Sequence, residues 1–403
     1  MPTPAPRPAS PLLQLREPPS KGPVAPSLQA FLELAFRPLY LAGVGWALVA
    51  IALWVYVPGW LTGPLAGLAW HAHEMLWGFV ATIALAFLMT AGSSWTGIDV
   101  LSGRPLAAVC GLWVIARLGF LIPWDGAFWL AMAAELAFFA WGAFAMLRAV
   151  VKSKNSRNYA VPGLLVGLGV MDALYLLSAH DGGDYAVLMQ RFNAGMVVMA
   201  LIALLIGRRV IPFFAMRAVP GLDIPKHTET GWVQLAACAV AVPGLLVGWN
   251  GLVALALGLA GALALLQVVS WKPLRVRGNA LLWILYVAYS AMGAGLLLAA
   301  LASAGVNLPR VLPVHTIAMA GFSVLMLGMV TRTALGHTGR PLLTDRTMHT
   351  SYWLMLGAVV LRLGAIAPTS WGAELLYAAG AAWIAALALY LWQFAPFLIR
   401  PRA

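Results

Sequence analysis

The chain has 403 residues, of which 62% are hydrophobic and only 9% charged, and its mean hydropathy is +0.87. A soluble globular domain is nearer half apolar and a quarter charged, so this composition excludes an ordinary soluble enzyme and points to an integral membrane protein. The net charge of +12 then reads as basic residues held in cytoplasmic loops against anionic lipid, with no nucleic-acid partner.

The opening "MPTPAPRPASPLLQLREPPSKGPVAPS" is proline-rich and has no long apolar core, which excludes an ordinary cleaved signal peptide. It predicts a disordered cytoplasmic tail over residues 1–30, leaving 31–403 as a single transmembrane helical domain. A bilayer crossing needs about 20 mostly apolar residues. Runs of that kind lie near 36–57, 69–91, 105–122, 127–148, 159–179, 185–207, 231–247, 251–270, 280–302, 311–331, 349–366 and 372–395. The predicted fold is therefore all-α, a polytopic bundle of about 12 membrane helices. The very short "GWNG" around Trp249 is its weakest connection. Cys110 and Cys238 both fall inside apolar runs, so neither a disulfide framework nor a thiolate metal cluster is expected.

Basic residues orient the bundle. All but four of the 25 lysines and arginines fall in the N-terminal tail, at the C-terminus or in alternate connections; Arg117, Arg191, Arg310 and Arg362 are the exceptions. The positive-inside rule then puts both termini in the cytoplasm. This sorts the histidines: His71, His73, His180 and His315 gather at the outer face, while His227, His337 and His349 are cytoplasmic.

Ligand-type side chains inside a membrane segment are costly and generally have partners or functions. "WHAHEMLWGF" opens the second span with His71, His73 and Glu74. Helical spacing sets His71 beside Glu74 and Met75, whereas His71 and His73 point away from each other. In the tenth span "LPVHTIAMAGF" puts His315 and Met319 on one face, followed by the small residues Ala320 and Gly321. Neutral imidazole suits iron, copper and zinc, and four outer histidines allow a haem with copper beside it in more than one division. Interfacial histidines also hydrogen-bond lipid headgroups or cap helices, and methionines at this spacing are commonly packing. Arg117 and Arg191 lie near the same depth, placed to meet haem propionates or to pair with Glu135 and Asp172. On the inner side "MVTRTALGHTGRP" and "GRRVIPFF" are basic helix ends without the glycine spacing of a phosphate loop.

Six stretches together resemble the NnrS family: "FRPLYLAG", "WHAHEMLWGF", "FLMTAGSSWTG", "GRRVIPFF", "VHTIAMAG" and "GMVTRTALGHTGRP", in order from Phe36 to Pro341. "AMRAVPG" and "AGSSWTG" depart from the family pattern. The resemblance implies a multi-pass protein of the bacterial inner membrane that contains haem and copper and is linked to nitric oxide tolerance. It falls on His71, His73, Glu74, Met75, His315, Arg332, His337 and Arg340.

The expectation is thus a haem b protein that binds or transforms nitric oxide in denitrification or stress, an oxidoreductase if it turns over. Haem is expected between His73 and His315, with Arg117 and Arg191 as cofactor partners. Copper is expected near His71 and Glu74, with Met319 a further metal ligand. Without a flavin or nicotinamide motif, turnover requires an external donor such as quinol. The rival reading is a transporter or copper-handling permease without redox turnover, against which no inverted repeat is visible.

Overall fold

The computed structural model describes residues 25–182 and 184–403. Most of the expected tail, residues 1–24, lies outside this range. Leu28–Phe31 already forms a helical turn, capped by Ser27, whose backbone N–H donates to the Ile399 carbonyl at 3.0 Å.

The rest is helical, with no strand among the described residues. In hydrocarbon every backbone N–H and C=O must find a partner within the segment, and the helix does this for apolar sequence of any detail. We label the rods α1 (Phe36–Tyr56), α2 (Gly67–Thr96), α3 (Gly103–Gly119), α4 (Asp125–Lys152), α5 (Ala160–His180), α6 (Tyr185–Ala218), α7 (Thr228–Val247), α8 (Asn250–Ser270), α9 (Ala280–Ser303), α10 (Val311–His337), α11 (Arg346–Gly364) and α12 (Gly372–Leu398). Ten of them are long and apolar enough to cross a membrane; α3, with 17 residues, and α11 are not. The tight link after α7 is real: Gly248 takes a left-handed φ of 75° and ends one helix two residues before the next begins.

The two chain ends meet at one end of the bundle. Besides the Ser27–Ile399 bond, Gly103 N–H donates to Leu32 O (2.8 Å), Ala403 N–H to Thr338 O (3.0 Å), and Arg37 Nη1 to the Leu398 and Arg400 carbonyls. At the opposite end Tyr56 donates to Tyr377 O at 2.8 Å. Close helix approach is bought with small residues: a Cβ on Gly261 of α8 would stand 2.6 Å from the Gly293 carbonyl of α9.

The centre belongs to α2, α6 and α10. In α2, 89% of the most apolar window is buried, against 33% in the peripheral α7 and α12. Both α2 and α10 are irregular. Each widens into a π-helical segment directly after a histidine, Glu74–Ala81 after His73 and Thr316–Ser323 after His315, and the two segments pack against each other. A hydroxyl reaches back five residues in each: Thr82 Oγ1 donates to Trp77 O, and Ser323 Oγ to Ala318 O. Such segments are uncommon and concentrate at functional sites.

Candidate functional site

Two sites flank α2. On one side a cavity of about 190 Å³ lies among α1, α2, α6, α10, α11 and α12. That is below the about 300–1,000 Å³ of typical small-molecule sites, and its lining is predominantly apolar. His71 from α2 and His315 from α10 both line it, each with the methionine four residues on, Met75 and Met319. The His315 Nδ1–H donates to the Val311 carbonyl at 3.0 Å. That bond fixes the tautomer and leaves the Nε2 lone pair available. His71 stacks on Trp54 with ring centroids 4.9 Å apart and planes 8° apart, and its buried Nδ1 has no hydrogen-bond partner among the described residues. Arg310 and Arg362 also line the cavity, and among the described residues no carboxylate pairs with either.

On the other side of α2 His73 enters a dry cluster of charge. His73 Nδ1 lies 2.9 Å from Glu74 Oε1, and its Nε2 lies 3.0 Å from Asp172 Oδ1 and 3.2 Å from Glu135 Oε2. Arg117 bridges the carboxylates, with Nη1 2.5 Å from Glu74 Oε2 and Nη2 on Glu135 Oε1. The Trp46 indole N–H donates to Glu74 Oε2 at 2.5 Å. All five charged or imidazole side chains are at most 2% exposed. Gly78 makes room for them: a Cβ there would overlap Arg117 Nη1 and stand 2.5 Å from Glu74 Oε2. An ion-pair network this deep holds only while every member is partnered.

The structure therefore divides the expected site. His71, His315 and Met319 share the cavity. His73, Glu74 and Arg117 do not line it, so the expected His73–His315 pair is not brought together, nor is a joint His71–Glu74 site. His71 and His73, two apart, project to opposite sides of the helix, while Glu74, at the start of the π-helical segment, is held on the His73 side by His73 and Arg117. Arg191 is also elsewhere; it donates to the Leu174 carbonyl at 2.7 Å and to the Ser178 hydroxyl, tying α6 to α5. The arginines at the cavity are Arg310 and Arg362, which the motifs did not single out. The signal was nevertheless present, for both broke the pattern of basic residues at alternate ends.

The remaining motifs have local roles. His180 pairs with Asp125 at 2.7 Å, away from the cavity. In the inner basic turn the Arg332 guanidinium lies 3.8 Å from the Phe214 ring centre and that of Arg340 3.6 Å from Phe397. His337 packs on Phe36. Burial, and then the charges of Arg400 and Arg37, lower the pKa of Arg340.

No curated protein matches the chain. The family model described as NnrS protein matches residues 30–402, which takes in both sites. The histidine helices α2 and α10 therefore sit in a chain that belongs to the NnrS family, membrane proteins linked at family level to nitric oxide and to haem or metal centres.

Proposed function

We propose that the cavity between α2 and α10 holds a b-type haem that binds nitric oxide, with His315 as the residue that would hold its iron. The observation that carries this reading is the convergence of His71 and His315, from two distant helices, on one apolar cavity with Arg310 and Arg362 beside it. The residues suit the group. His315 presents an oriented Nε2, Phe79 and Phe322 offer apolar walls, and two arginines without carboxylate partners suit propionates. When bound, the haem supplies an iron at which nitric oxide coordinates. The chain's own part is to orient that group, keep water out, and place the His71 ring across the same space. Nitric oxide is small and apolar and reaches such a site from the lipid.

Copper is a secondary proposal at this same cavity, where Met75 and Met319 add soft sulfur donors to imidazole. The cavity is lined by residues toward the end of the bundle opposite the Ser27–Ile399 contact. With the basic connections in the cytoplasm, that end faces the periplasm of a bacterial inner membrane.

The test is an absorption spectrum of detergent-purified protein, oxidised, reduced, and reduced with nitric oxide. Wild type is expected to show a b-type spectrum that shifts with nitric oxide. His315→Ala is expected to lose it, and His73→Gln to retain it per monodisperse chain. The opposite pattern would return the axial ligand to His73. A folded, metal-replete protein with no chromophore, but with flux in proteoliposomes, would replace the reading with transport.

A further inference from the structure

We propose that His73, Glu135 and Asp172 form a separate, non-haem metal site for a hard-to-borderline divalent cation, of the kind of iron(II), manganese(II) or zinc(II). The inference stands on the cluster alone and is independent of haem in the cavity.

Charge comes first. Glu74, Glu135 and Asp172 bring three negative charges against one positive charge on Arg117, so the cluster carries −2 with His73 as the neutral imidazole a metal ligand must be, and −1 with His73 as imidazolium, in a region at most 2% exposed. An uncompensated charge buried that deeply is expensive. One divalent cation removes it.

Geometry points the same way. His73, Glu135 and Asp172 each offer a donor atom, and all three donors lie within 4.8 Å of one another. Around His73 Nε2 the carboxylate oxygens stand at 3.0 and 3.2 Å. Ligands on tetrahedral bonds of about 2.0–2.2 Å are themselves about 3.3–3.6 Å apart. The two pairs that include His73 Nε2 need to spread by only a few tenths of an ångström to admit the ion.

Asp172 Oδ2 and Glu135 Oε2 are also buried without a hydrogen-bond partner among the described residues. The surroundings are those of a metal ligand: Glu74 accepts from His73 Nδ1–H, orienting the ring and leaving Nε2 toward the ion. Arg117 holds Glu135 by Oε1 and so turns Oε2 inward. Phe120 and Tyr175 pack on the imidazole and keep the site dry. One nitrogen and two carboxylates favour iron(II), manganese(II) or zinc(II) over copper(I), which prefers sulfur. Three protein ligands leave a coordination position for water or a small ligand.

The experiment is elemental analysis of the purified full chain, with haem iron measured separately and subtracted. Wild type is expected to carry one non-haem iron, manganese or zinc per chain. Asp172→Asn and Glu135→Gln are expected to lower it by about tenfold or more, on the scale of lost metal-site contacts, with haem content and elution profile unchanged. The haem content thus reports on the cavity and the metal content on the cluster. Metal content unchanged in both variants, or copper as the metal lost, overturns the assignment. Should neither variant fold, wild type decides: less than a tenth of an equivalent of these three metals beyond haem iron also overturns it.

Discussion

His71 and His73 are separated by one residue on the same helix, yet one borders an apolar cavity and the other a packed knot of charge. Around His71 the neighbours are Trp54, Met75 and, across the space, His315. Around His73 they are Glu74, Glu135, Asp172 and, through the carboxylates, Arg117. The contrast teaches that adjacent ligand-type residues in a membrane helix need not serve one centre. A helix inserted between neighbours of different character separates them, and the central position of α2 makes it a partition between two chemistries.

That partition is open to attack where it is most costly to disturb. Arg117→Met takes the guanidinium away from the buried Glu74 and Glu135 carboxylates, and loss of one partner of a buried pair costs about 3–5 kcal/mol. Unfolding in detergent is expected to show a loss of that order. A change below 1 kcal/mol would mean that the carboxylates are already neutralised by something other than Arg117.

Trp46→Phe is gentler. It keeps an aromatic ring, though a smaller one, and removes one N–H bond to a carboxylate, a contact worth about 1.5–3 kcal/mol. The same unfolding measurement is expected to place it between Arg117→Met and His71→Ala. Full wild-type stability would show that the indole contact to Glu74 is dispensable.

On the cavity side the expected effect is smallest. His71→Ala removes a stacked ring that lines open space, and stacked pairs add about 0.5–1.5 kcal/mol. A loss as large as that of Arg117→Met would break the comparison, because His71 would then be as deeply coupled to the fold as the charge cluster is.

Much of this was legible early. Apolar run length located the rods, since hydrocarbon admits one solution for the backbone. Even α3 and α11, the two rods without the length or apolarity of a span, fall close to stretches read from composition. Glu135, Asp172 and Arg117 were marked by their cost inside a membrane, and Arg117 does pair with Glu135, as one of the two alternatives held. The π-helical segments carried no local mark. They follow Ala-His in α2 and Val-His in α10, and only the packing of the two helices against each other shows them as a pair.

The amino-acid sequence by itself determined a basic, all-helical membrane chain with histidines near one end of two spans, because hydropathy and helical periodicity are local properties. It also determined that His71 and His73 diverge, which follows from the rotation between successive residues. Which of them meets His315 was decided by tertiary structure alone. That outcome depends on what stands on each side of α2: the arrival of Glu135 and Asp172 from α4 and α5 on one side, and of His315, Arg310 and Arg362 from α10 and α11 on the other. Partners that distant in the chain are brought together by helix packing, and no periodicity within a single span encodes it.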